Sequence, residues 1–154
     1  MQRQVRQVAL LLLALAGVAS ADEGATRVEK DGYVASLAAP GEPRAGVPAT
    51  VTLTLVVRNG FHMNADYPTS FKVTQGGSVT YPRAKIDRDS GLTALACADK
   101  RDVNCSARAA VPYIAPAAGT HTVGGVFAFS VCSADQCLIE KEPVSLELVV
   151  SSRQ

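Results

Sequence analysis

Two cysteines separated by four small or polar residues, Cys132-Ser-Ala-Asp-Gln-Cys137, hold the clearest chemistry in this chain. A disulfide that a partner thiolate can reach can be exchanged, whereas a buried one only holds a fold. Nothing bulky in Ser133, Ala134, Asp135 or Gln136 would shield the sulfurs. Asp135 puts negative charge near Cys137, which disfavours a thiolate and argues for a substrate disulfide over an aggressive nucleophile. Upstream, Val126-Phe-Ala-Phe-Ser-Val131 has the residue types of a β-strand. Downstream, Leu138-Ile139 and, after Pro143, Val144-Ser-Leu-Glu-Leu-Val-Val150 resume that pattern. The expectation is a hairpin with both cysteines at its tip.

Two further cysteines, Cys97 and Cys105, precede this pair. Four cysteines allow three connectivities, of which the two short-range pairs are the simplest. Closing the Cys97–Cys105 loop is worth about 2.6 kcal/mol on a chain-entropy estimate, and closing Cys132–Cys137 about 2.2 kcal/mol. These similar values do not separate a structural bond from an active one. Position does: Cys97 and Cys105 flank the charged run Asp99, Lys100, Arg101 and Asp102, which reads as a stapled loop. A zinc site competes for the same cysteines, but neither CxxC spacing nor a nearby ligand histidine supports it.

Residues 1–21 read as an export signal. Arg3 and Arg6 precede an 11-residue apolar run, Val8 to Val18, and Ala19-Ser20-Ala21 offers a cleavage site. The run is well short of the roughly 20 residues a membrane-spanning helix needs, so no insertion is expected after cleavage. The expected mature chain, 22–154, is 133 residues, enough for one domain with its own core. Without Arg3 and Arg6, 13 basic residues face 14 acidic ones, a net charge near −1. With no cationic run either, nucleic acid and anionic membrane are poor partners. The cysteines fit an oxidising location, periplasmic or secreted.

The mature sequence reads as strands and turns with no helix. Ala49 to Val57 is the clearest strand, with Val51, Leu53, Leu55 and Val57 on one face and Thr50, Thr52 and Thr54 on the other. A shorter one spans 32–37, Asn59-Gly60 marks a turn, and an apolar cluster covers 61–73. A strand pair broken at Pro82 is expected over 79–86, and a long stapled loop over 87–107. Ala109 to Ile114, Thr120 to Val131 and Leu138 to Val150 complete the set. Seven or eight short strands of this kind predict an all-β fold: a single antiparallel β-sandwich of immunoglobulin-like shape, with its core at about 30–150. The chain has no Trp, so it lacks the buried Trp of antibody domains. Gly124-Gly125 inside a strand predicts a bulge or a close backbone contact.

Other candidates are weaker. His62 and His121 are isolated and read as ordinary strand or loop residues, with no metal or cofactor expected. Tyr67 and Phe71 read as core, or as part of a loop covering the cysteines. Asn104-Cys-Ser106 fits a glycosylation acceptor.

Strand–Cys-x4-Cys–strand at the end of an exported sandwich resembles the periplasmic N-terminal domain of the thiol–disulfide interchange protein DsbD family. Val131-Cys132-Ser-Ala-Asp-Gln-Cys137-Leu138 looks like that family's cysteine hairpin. Asn59-Gly60-Phe61-His62-Met63-Asn64, followed by Tyr67-Pro68-Thr69, is similar to its Gly-aromatic-His segment and Pro-Thr, and the likeness extends over most of 30–150. The resemblance implies an immunoglobulin-like electron relay that exchanges disulfides with thioredoxin-fold oxidoreductases or a membrane electron donor. Cys137 would form the mixed disulfide and Cys132 would resolve it. The chain departs from the pattern in its extra pair, Cys97 and Cys105, and in Leu138-Ile139-Glu140 where the family has aromatic and proline residues. Ending at Gln154, it would also need its donor as a separate protein. The competing expectation is a non-catalytic exported binding module with two structural disulfides, presenting loops such as 59–70 and 87–107.

Overall fold

The computed structural model describes residues 26–94 and 106–153. The export signal, Cys97, Cys105 and Asn104 lie outside the described residues. Ten strands follow one another: β1 (Arg27–Lys30), β2 (Tyr33–Ala38), β3 (Ala49–Val57), β4 (His62–Met63), β5 (Ser70–Val73), β6 (Lys85–Asp87), β7 (Leu92–Ala94), β8 (Ser106–Tyr113), β9 (Gly119–Cys132) and β10 (Cys137–Val150). A 3-10 turn, Arg88–Ser90, joins β6 to β7. One sheet has the order β1-β2-β3-β8-β7 and the other β10-β9-β5-β6, with β4 also pairing with β9. All these pairings are antiparallel, which gives the all-β sandwich that the sequence predicts.

The alternation in β3 is realised: Val51, Leu53, Leu55 and Val57 are buried while Thr50, Thr52 and Thr54 are half-buried. Against them the second sheet sends Phe127, Phe129 and Val131 of β9 and Phe71 of β5. The Tyr33 and Phe129 rings meet edge-on at 4.8 Å, Phe129 and Phe127 lie 4.9 Å apart, and Phe127 meets Phe71 at 6.4 Å. This line of four rings runs from β2 to β5 through the core, each contact adding about 0.5–1.5 kcal/mol to simple burial.

Several expectations are corrected. The span 79–86 is not a strand pair: Thr80 makes an isolated bridge to Ile114, and only β6 is a strand. The long loop expected over 87–107 contains the 3-10 turn and β7 before the undescribed residues, and β8 begins at Ser106. A strand before Tyr33, β1, was not legible because its sequence, Arg-Val-Glu-Lys, is charged and mostly exposed. Pro143 does not interrupt β10. That strand is a sheet edge, and the alternation of pairs sets Pro143 opposite Val126 where its missing N–H faces away from β9.

Of the two readings for Gly124-Gly125, close contact holds. The β9–β10 register runs unbroken from Gly119↔Val150 to Cys132↔Cys137, so there is no bulge. A Cβ on Gly125 would fall 2.2 Å from the Lys72 carbonyl oxygen of the neighbouring strand β5, whose Val73 is paired with Gly125.

Candidate functional site

The site is built on the hairpin of β9 and β10, whose fourteen register pairs end at Cys132 and Cys137. Ser133 closes the tip: its N–H donates to the Gln136 carbonyl at 2.8 Å, and its hydroxyl accepts from the N–H groups of Asp135 and Gln136 at 3.2 and 3.3 Å. Cys132 and Cys137 are disulfide-bonded with Cα atoms 4.0 Å apart, the close spacing of a non-hydrogen-bonded antiparallel pair. Val131, Phe129 and Phe127 point into the core, so alternation puts Cys132, and Cys137 opposite it, on the outer face.

On that face the two sulfurs have different surroundings. Cys137 is exposed, whereas Cys132 is only 6% exposed. β10 is an edge, so beyond Cys137 lies solvent. On the other side of β9 runs β4, with His62 opposite Cys132 and Met63 opposite Val131. The chain then departs from the sheet. Register with β9 resumes only at Ser70↔Ala128, so residues 64–69 bulge where β9 contributes just Phe129 and Ser130.

Local hydrogen bonds fix the bulge. The Asn64 N–H donates to the Ser130 carbonyl at 3.0 Å, the Asp66 N–H to Asn64 Oδ1 at 3.1 Å, and the Thr69 N–H to the Tyr67 carbonyl at 2.8 Å around Pro68. Arg88 donates from Nη2 to the Ala65 carbonyl at 2.7 Å. Arg88 is itself held by its turn, where the Ser90 hydroxyl bridges the Asp87 N–H and carboxylate, each at 2.7 Å. Lys85 pairs with Asp87 at 2.8 Å, and this cation, with the Ser90 hydroxyl, holds the Asp87 carboxyl below the usual range. Between these pieces lies a groove of about 820 Å³, lined by residues 62–70, by Lys85, Asp87, Arg88, Asp89 and Leu92, and by both cysteines.

The other sequence candidates fall as follows. His121 is a satisfied core histidine, with ring nitrogens 3.1 Å from the Ser78 carbonyl and 2.8 Å from that of Ala117. Phe71 is core, while Tyr67 is half-buried and lines the groove. Among the described residues, no three His, Cys, Asp or Glu side chains converge as a metal site would require.

Sequence reasoning set His62 aside, and the structure brings it beside Cys132. The signal lay in its position just past Asn59-Gly60, both left-handed (φ 55° and 79°), which turn the chain out of β3. It also passed over Ser130, whose hydroxyl is buried and meets no hydrogen-bond partner among the described residues. Chemically, the arrangement offers one exposed cysteine, one sheltered cysteine and an open groove beside them. Comparison of the chain with protein-family models and with curated proteins finds no match.

Proposed function

We propose that the protein exchanges its Cys132–Cys137 disulfide with thioredoxin-fold partners in an oxidising, exported compartment. The observation that carries this reading is the unequal burial of the two sulfurs, Cys137 open and Cys132 at 6% exposure. A thiolate attacks a disulfide along the S–S axis, from behind the sulfur it joins. Cys137 stands exposed on the edge strand, whereas Cys132 has β4 and the start of the 64–69 bulge on its far side.

Reduction then proceeds in a defined order. The partner thiolate bonds to Cys137 Sγ, the Cys132–Cys137 bond breaks, and its electron pair leaves on Cys132 Sγ. The partner's second thiolate attacks its own sulfur in the mixed disulfide and releases the Cys137 thiolate. Two electrons pass, the protein becomes a dithiol and the partner a disulfide. Run backwards, Cys132 resolves a mixed disulfide held at Cys137 without any long loop having to be ordered, since the two residues face each other across one pair. The resemblance of this hairpin to the DsbD N-terminal domain supports the same reading.

The test is trapping with a thioredoxin-like protein that lacks its resolving cysteine and carries its remaining one as a mixed disulfide with thionitrobenzoate, which a free thiolate of this protein can displace. Cys132→Ser, which leaves Cys137 free, should accumulate the mixed disulfide, and Cys137→Ser should not. A reducing thioredoxin-like donor that leaves Cys132–Cys137 intact while reducing a control protein would sink the proposal.

A further inference from the structure

Breaking the disulfide leaves negative charge on Cys132, the sheltered sulfur, so something must receive it. Cross-strand partners point to the same face of a sheet, with Cβ atoms about 5 Å apart. His62 is the cross-strand partner of Cys132 on β4, and both line the groove. The row across three strands is therefore His62, Cys132, Cys137, with His62 on the side of Cys132 away from Cys137.

A second polar group stands on the same side. Ser130 lies two strand positions from Cys132 on the same face, 1% exposed, its hydroxyl without a partner among the described residues. A buried hydroxyl left unpaired in the disulfide state costs stability, and it becomes a spare donor once a thiolate forms nearby. Among the described residues, the charged groups lining the groove with His62 are Asp66, Asp87 and Asp89 against Lys85 and Arg88. Three carboxylates against two cations leave a net −1 around the groove.

We propose that His62 carries the proton of the Cys132 thiol during exchange. The proposal rests on the exchange reading and adds the group that manages the leaving sulfur. During reduction the imidazolium faces the departing Cys132 thiolate and passes its proton to it. During resolution neutral His62 takes that proton back, and the Cys132 thiolate attacks Cys137 Sγ and expels the partner's thiolate. Imidazole suits the task because it changes charge near neutral pH, and an adjacent imidazolium is the usual means of holding a cysteine as thiolate.

The experiment uses the exported chain with Cys137→Ser, so that Cys132 is a free thiol. Its alkylation by iodoacetamide is followed against pH and mapped to the residue. Replacing His62 by Phe, which keeps a ring but no proton, should raise the midpoint of Cys132 reactivity by about one pH unit, a tenfold loss of thiolate at neutral pH. His62→Gln, a donor that does not titrate, should fall between. A midpoint unchanged in both variants, with circular dichroism showing the same fold, overturns the role of His62. Separately, the protein with both cysteines is placed in excess reduced glutathione. If Cys132–Cys137 stays closed there, the exchange reading fails and the proton-carrier role with it, whatever the alkylation shows.

Discussion

Arg88 holds Ala65 in place: its guanidinium donates to the Ala65 carbonyl at 2.7 Å, tying the turn after β6 to the bulge that borders Cys132. A charge-assisted bond of this kind at an exposed site is worth at most about 1 kcal/mol. Arg88→Ala should loosen residues 64–69 without unfolding the sandwich, because Arg88 is not among the buried core residues. In a Cys137→Ser background the Cys132 thiol should then be alkylated up to about fivefold faster, the rate equivalent of that energy. Unchanged alkylation kinetics would mean that β4 alone shelters Cys132.

Ile139 lies two residues past Cys137 on the same outer face and is 65% exposed. Beside the exposed Cys137, an aliphatic side chain in solvent is a contact that a protein can bury and a small thiol cannot. Full burial of an isoleucine stabilises by roughly 1.5–3 kcal/mol, and partial burial by about half of that. Ile139→Ser should slow reduction by a thioredoxin-like protein about tenfold and leave reduction by dithiothreitol within about twofold. Equal slowing of both would show that the substitution acts on the disulfide and not on docking.

How far the sequence foretold this depends on the kind of contact. Strand β3 was legible because burial on one face imposes period two on its own residues, Val51 to Val57. The cysteine hairpin was legible for the same local reason, its two cysteines being five positions apart on facing strands. His62 was not, since its meaning depends on a register 70 residues away, His62↔Cys132, that no local pattern encodes. Arg88 was missed similarly, as its partner Ala65 is 23 residues distant. Gly125 is intermediate: a glycine in a strand announced a bulge or a close approach, but only the pairing of β5 with β9 identifies the Lys72 carbonyl as what approaches.

Glu142 occupies a core-facing position on β10 at 6% exposure, accepting from the Tyr33 hydroxyl and, at 2.5 Å, from Lys30 Nζ. Burial pushes its carboxyl up, but the hydrogen bonds from Lys30 and Tyr33 outweigh that and hold it below the ordinary 4.5. The signs follow from linkage. A carboxyl depressed in the folded state contributes stability above its ordinary value and loses it as pH falls through the folded one. Lys30 is raised, chiefly by Glu142, so its contribution is complete below 10.5 and lost only as pH climbs through the raised value. Tyr33 is also raised, by burial first and by Glu142 next, and so behaves as Lys30 does from its ordinary 10.0. Glu142→Ala should cost about 1–3 kcal/mol at pH 7, because the Tyr33 hydroxyl, on a residue 1% exposed, loses its acceptor. Lys30, with half its side chain in solvent, adds little to that cost because it simply rehydrates. The gap between the two proteins, measured by urea unfolding, should narrow as pH falls from 4.5 through the depressed native value, where the native carboxyl takes up its proton. A gap that stays constant over that range would show that the ionised carboxylate contributes nothing beyond filling space.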